Sequence, residues 1–150
     1  ENRYAGYCSA LADASISVNQ KYIANIVHST EEGYKGVHHL LNNGCDATAF
    51  FCADDITAIG AMKAIKEHGL HIPEDVSVAS IDDIDTAQYL TPPLTTTHIP
   101  LDEMGQMAAK VLIDRIEGGH TKHLKILFPY DIIERKSTAA FRKIHGNPQK

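Results

Sequence analysis

The stretch from Thr48 to Asp83 leaves this chain few ways to fold. Two compact apolar runs, Thr48-Ala49-Phe50-Phe51-Cys52 and Val76-Ser77-Val78-Ala79-Ser80, each end in an acidic turn. The first turn is Ala53-Asp54-Asp55 and the second is Ile81-Asp82-Asp83. Between them Ile56, Ile59, Met62 and Ile65 recur at helical spacing, and Gly69 closes the stretch. The pattern predicts a strand, a helix and a second strand, with carboxylates at the outgoing end of both strands. A helical crossover joins parallel strands. In open parallel sheets, ligands bind beyond the carboxyl ends of the strands. The acidic turns therefore place hydrogen-bond acceptors where a small molecule would be held.

The flanking sequence extends the same pattern. Residues 1 to about 14 are expected to be helical, with Arg3, Tyr7 and Ala10 on one face. Residues 21–27 read as a strand. Ser29 then caps a helix, with Glu32 as its capping-box partner and Tyr34, Val37, Leu40 and Leu41 as its apolar stripe. The order α-β-α-β-α-β predicts an α/β fold, an open parallel sheet with helices on both faces. Past Pro92-Pro93, Leu94 to Ile99 is rich in β-formers. A helix is expected from Leu101 to about Glu117, with Met104, Ala108, Val111, Leu112 and Ile116 inward, and Gly118-Gly119 ends it. Two short β-like runs follow, Lys125 to Phe128 and Asp131 to Glu134. Residues 142–150 are expected to form a loose tail.

Bulk properties narrow the function classes. A chain of 150 residues with 43% hydrophobic content suits one ordinary domain. No apolar run approaches the roughly 18 residues that a membrane helix needs, so no membrane partner is expected. The three cysteines lack CxxC spacing, which suggests reduced thiols and a cytoplasmic location. A formal net charge of -5 argues against this chain gripping nucleic acid by itself. Nine histidines occur without HExxH or paired Cys/His spacing, so no metal site is expected. There is no G-x-S-x-G elbow, P-loop or GxGxxG, and no cofactor or catalytic activity is implied. Asp54 at a strand end invites comparison with a receiver-domain phosphoacceptor. That chemistry also needs an acidic pair on the first strand and a late lysine, a layout missing from this sequence. The opening Glu1–Tyr7 reads as the inside of a helix with no cap before it, so the chain is expected to be a segment of something longer.

Several blocks together carry a resemblance. Cys52-Ala53-Asp54-Asp55-Ile56-Thr57-Ala58-Ile59-Gly60 is similar to the "ND..A.G" segment of lactose-repressor (LacI/GalR) type regulators. Gly69 to Val78 resembles its "G..VP.DVSV" continuation, and Ile81-Asp82-Asp83 with Pro93-Leu94-Thr95-Thr96 and Gly105 resembles its "DD…P.LTT…G" segment. Ile133-Glu134-Arg135-Lys136-Ser137-Thr138 resembles the closing "L..R.ST", and Arg3-Tyr4-Ala5-Gly6-Tyr7 the upstream "R..GY". The blocks stand in family order.

The resemblance implies a cytoplasmic, ligand-responsive regulator, most simply a repressor. Its two-lobed effector-binding core is of the periplasmic-binding-protein type, and operator DNA is read by an N-terminal helix-turn-helix that this chain lacks. It implies a homodimer and an effector that is a sugar, a sugar phosphate or a purine. Residues 1–141 would be mainly the C-terminal lobe, with 94–120 belonging to an otherwise missing N-terminal lobe. The apolar face of the helix at 101–117 would then be uncovered, and two copies of the chain are expected to associate or swap there. A solute-binding protein of a sugar transport system shares the architecture and is the alternative. An enzyme using paired carboxylates is a further rival.

Three residues are the expected ligand contacts: Arg3, Asp54 and Asp82. A carboxylate such as Asp82 fixes a sugar ring by accepting two hydroxyl hydrogen bonds, although Asp after a strand also makes a helix cap. Of Asp54 and Asp55, one should cap the following helix; Asp54 is expected to face the cleft and Asp55 to be structural. Arg3 carries over from the "R..GY" segment, and its fork of donors suits hydroxyls, carboxylates and phosphates. The position of Asp54 is often Asn in the family, and an ionised carboxylate only accepts where Asn also donates.

Overall fold

The computed structural model describes residues 2–140. The expected loose tail over 142–150 lies outside the described residues. Four α-helices and four strands follow in chain order: α1 (Asn2–Asp13), α2 (Thr30–Asn42), β1 (Ala49–Phe51), α3 (Asp55–Glu67), β2 (Ser77–Asp82), β3 (Thr95–His98), α4 (Leu101–Ile116) and β4 (Asp131–Ile133). The strands form one open sheet in the order β1-β2-β3-β4. β1, β2 and β3 are parallel, with Phe50 opposite Val78 and Ser80 opposite Thr96. β4 runs antiparallel to β3 at the edge, with Thr97 opposite Ile132. The open sheet with helices expected from the sequence is present, but it is mixed rather than wholly parallel. β3 reaches β4 through α4 and the irregular segment after it, so the topology left β4 free to run either way.

Two expected strands do not form. Residues 125–128 carry no strand. Residues 21–27 begin as a 3₁₀ turn over Gln20–Tyr22 and continue as unpaired chain. The reason lies in α2. Ala24 and Ile26 lie against Gly36, where an added Cβ would meet Ile26 Cγ2 at 3.0 Å and Ala24 Cβ at 3.2 Å. The segment thus packs its small and branched side chains onto α2 and does not join the β1 ladder. A hollow of about 330 Å³, lined by Ile23, Ile26, Val37, Leu40 and Phe51, separates it from β1.

The core joins the sheet to α3, and α3 to α2. Phe50, Val78 and Leu94 meet Ala58, Ala61, Met62 and Ile65, with Val37 and Leu40 behind them. Ile65 and Leu94 are fully buried, each worth about 1.5–3 kcal/mol by area removed from water. The buried face of α3 is turned from its expected centre: Ile56 and Ile59 are only half-buried, while Ala58, Ala61 and Ala64 lie innermost. Small residues explain this. A Cβ on Gly60 would stand 1.9 Å from the Thr30 carbonyl oxygen, and one on Gly33 would stand 2.2 Å from that of Thr57. The two helices cross nearly backbone to backbone, which draws the alanine face inward.

α4 differs from the other elements of the core. None of its residues is buried, so the expected inward set Met104, Ala108, Val111, Leu112 and Ile116 has no core to face among the described residues. Leu112, Ile113 and Ile116 are exposed. The helix forms because its local sequence favours helix, and its apolar stripe stays uncovered. No helix among the described residues is long and apolar enough to cross a membrane.

Candidate functional site

Because β1 and β2 are parallel, their acidic tips leave the sheet on the same side. Arg3, on α1, spans both. Its Nη1 donates to the Ala53 carbonyl oxygen at 2.6 Å and its Nη2 to Asp82 Oδ1 at 3.0 Å. The fork geometry of a guanidinium allows two such bonds in one plane. Two of the three expected residues, Arg3 and Asp82, are therefore in direct contact, and the third, Asp54, follows Ala53 in the chain.

Asp82 occupies unusual backbone. Its φ is 113° and that of Asp83 is 55°. Non-glycine residues rarely adopt positive φ, and such strain persists only where surrounding structure holds it. Here two carboxylates hold it. Asp55 is fully buried and accepts hydrogen bonds from Ser80 Oγ, from Thr96 Oγ1 at 2.7 Å and from Ile84 N at 2.9 Å. Asp83 accepts from Arg135 Nη2 at 2.7 Å and pairs with His98 Nδ1 at 3.0 Å. Arg135 also donates to the Leu94 carbonyl oxygen at 2.8 Å. The turn is clamped on both sides, and Asp82 is left with one carboxylate oxygen free of any hydrogen bond within the described residues. Burial pushes the Asp82 carboxyl above its ordinary value; Arg3 opposes the rise, and the charges of Asp54 and Asp55 add to it.

Asp54, expected to face the cleft, has both carboxylate oxygens engaged within the chain. It caps α3, its Oδ1 accepting from Thr57 N at 2.8 Å, and its Oδ2 lies 2.8 Å from His28 Nδ1. Only 4% of the residue is exposed. Burial would raise its carboxyl, but the hydrogen bonds from His28 and Thr57 outweigh that and hold it below the ordinary value. The sequence left the cap open between Asp54 and Asp55. Asp54 takes it because the first free amides of α3 point back along the axis at the residue preceding the helix, whereas Asp55 is already inside the helix and turns into the core. Asp55 is structural, as expected.

His28 is the residue that sequence reasoning missed at this site. It stands exposed, with Asp54 gripping its Nδ1. A carbonyl or carboxylate partner on one ring nitrogen orients the ring and leaves the other for a ligand. No spacing motif marks it; the only signal was its position just before the cap Ser29. The brace formed by Arg135 was visible only as a motif without a role.

Arg3 also lines two hollows. One is the apolar gap of about 330 Å³ already described; the other is a wide opening of about 810 Å³ walled by Tyr4, Asn25, Glu32 and Ala53. Burial and the Asp54 and Asp55 carboxylates push the Cys52 thiol up to about 12, so it stays protonated and unreactive near neutral pH. The arrangement offers hydrogen-bond acceptors, one guanidinium and aromatic walls, which is equipment for binding polar molecules.

Fold and strand-tip site together define an α/β ligand-binding lobe. Residues 1–138 match the periplasmic binding protein-like domain, and the chain belongs to that family. It is 39% identical over 137 residues to the HTH-type transcriptional repressor PurR of Serratia proteamaculans, covering 91% of this chain and 40% of that protein. Among solved structures it is similar to a LacI family transcriptional regulator from Enterococcus faecium with bound ribose. That match has 34% identity and a TM-score of 0.83, over 93% of this chain and 52% of that one. It is similar also to the lac repressor dimer bound to operator and an anti-inducer, with 33% identity and a TM-score of 0.82, over 92% of this chain and 47% of that one. The resemblance to lactose-repressor-type regulators read from the motifs is borne out by these relatives, which are transcriptional regulators. The chain spans about 40% of the length of the curated relative.

Proposed function

We propose that this chain is the effector-binding part of a cytoplasmic, ligand-responsive DNA-binding regulator, a repressor like its relatives. The effector is a sugar or sugar phosphate. The observation that carries the reading is the Arg3 bridge between Ala53 and Asp82, which gathers α1 and two parallel strand tips into one polar wall. Asp82 accepts ligand hydroxyls through its free oxygen, and Arg3 donates to the ligand. Asp54 acts through His28, which it orients. Operator DNA is bound by a helix-turn-helix outside this chain, and the working unit is a homodimer. The uncovered apolar stripe of α4 supports placing that helix with a second lobe, whereas the start of the expected segment 94–120 stays in this one, because Leu94 is in its core and β3 pairs with β2 and β4. Binding alters DNA affinity only if the effector favours one lobe arrangement over the other.

A solute-binding protein of a transport system has the same architecture. The relatives' names as repressors favour the regulator.

A thermal-shift screen of sugars, sugar phosphates and purines on the full-length protein tests the reading, since a ligand that binds only the folded state raises its stability. Asp82→Ala is expected to abolish the shift. A full shift in that variant removes Asp82 from the site.

A further inference from the structure

We infer that the effector is an uncharged polyhydroxylated molecule, a free sugar, and that the wall described above selects against its phosphorylated form. The inference rests on the proposed effector site and narrows it to one ligand class.

The argument is a count of charges at the strand tips. Arg3 is the cation that lines both hollows, and its guanidinium is already committed to Asp82 and to the Ala53 carbonyl. His28, the other basic group nearby, is committed to Asp54. Asp55 adds a third carboxylate directly behind them, buried and satisfied by hydroxyls and an amide, with no cationic partner among the described residues. Glu32 lines the wider hollow and brings a fourth acidic group, paired with Lys35 at 3.1 Å, a lysine that does not line either hollow. The neighbouring cation Arg135 is bound to Asp83. The wall therefore carries more anionic than cationic groups, and its one guanidinium facing the hollows already has its charge shared with Asp82.

A phosphate group arriving here could accept only from the N–H groups that Arg3 leaves unused, and it would bring its own negative charge against the Asp82, Asp54 and Asp55 carboxylates, in a partly desolvated position where like charges repel strongly. A neutral polyol meets no such repulsion. Its hydroxyls donate to the free Asp82 oxygen and accept from Arg3, and hydrogen bonds to charged groups are the strong ones. Selectivity of this kind comes from the repulsive element against the wrong ligand as much as from attraction to the right one.

The test is paired isothermal titration of the full-length protein with ribose and ribose 5-phosphate, with glucose and glucose 6-phosphate, and with inorganic phosphate alone. Within the pair that binds, the free sugar is expected to bind more tightly than its phosphate ester by about tenfold or more. Asp54→Asn keeps a good helix cap and removes one negative charge, so it is expected to narrow that ratio. Tighter binding of the ester, lost in Asp82→Ala, overturns the inference while leaving the effector site in place. Binding of either sugar that is unchanged in both Asp82→Ala and Arg3→Ala overturns the site itself, and the inference with it. An unchanged ratio in a folded Asp54→Asn variant also overturns the charge argument.

Discussion

Arg3 Nη2 donates to Asp82 Oδ1 at 3.0 Å across 79 residues of sequence. Despite this pair, the Asp82 carboxyl is held above its ordinary value of 3.8, with burial the leading cause. The ionised side chain therefore costs folding stability at neutral pH. The cost is fully present above the raised value and disappears as pH falls below 3.8, where folded and unfolded chains are both protonated. Asp82→Asn is expected to raise the melting temperature of the unliganded protein at pH 7, with the gain vanishing near pH 3, while the ligand-induced shift is lost. Differential scanning fluorimetry across pH, with and without a sugar, checks both halves.

Asp54 behaves oppositely. His28 and the Thr57 amide hold its carboxyl below 3.8 in spite of burial. A depressed carboxyl contributes stability that is present above the unfolded value and lost as pH falls through the folded one. The stability difference between the native protein and Asp54→Asn is expected to shrink as pH falls below about 3.8. Urea titrations at each pH measure it; a difference that fails to shrink below that value would refute the assignment.

Ser137 is fully buried, its Oγ donating to the Val78 carbonyl oxygen at 2.6 Å and accepting from Thr95 N at 2.7 Å. It thereby ties β2 to the start of β3. Ser137→Ala strands a buried amide and a buried carbonyl, at a cost of about 1–3 kcal/mol. Chemical denaturation should show a lower midpoint with an unchanged slope.

Gly60 tolerates no side chain. The methyl of Gly60→Ala would stand 1.9 Å from the Thr30 carbonyl oxygen, and backbone on both helices has to move to admit it. Although Ala is the better helix former, Gly60→Ala is expected to destabilise the protein by about 1–3 kcal/mol or more through overpacking. Ser and Ala variants at Gly105, where an added Cβ meets nothing, serve as the comparison.

Much of the fold was legible along the chain. β1, α3 and β2 lie where the apolar runs and the caps put them, since each of these signals acts over a few residues. Ser29 caps α2 for the same local reason. Strand pairing is not local. Residues 21–27 have the composition of a strand, yet Ala24 and Ile26 found a groove on α2 opened by Gly36, and side-chain packing outweighed the ladder. The direction of β4 was equally invisible, because a long irregular connection constrains neither orientation.

The site divides in the same way. Sequence alone determined that two carboxylate turns end two strands, and the family resemblance implied that an arginine on the first helix belongs with them. Only the tertiary structure decided that Asp54 is consumed as a cap, that His28 stands beside it, and that Asp55 and Arg135 clamp the strained turn at Asp82. The physical reason is reach: propensity and periodicity report a residue's neighbours within a turn or two. A charge, by contrast, is settled by whatever partner the fold brings within about 3–4 Å, from anywhere in the chain.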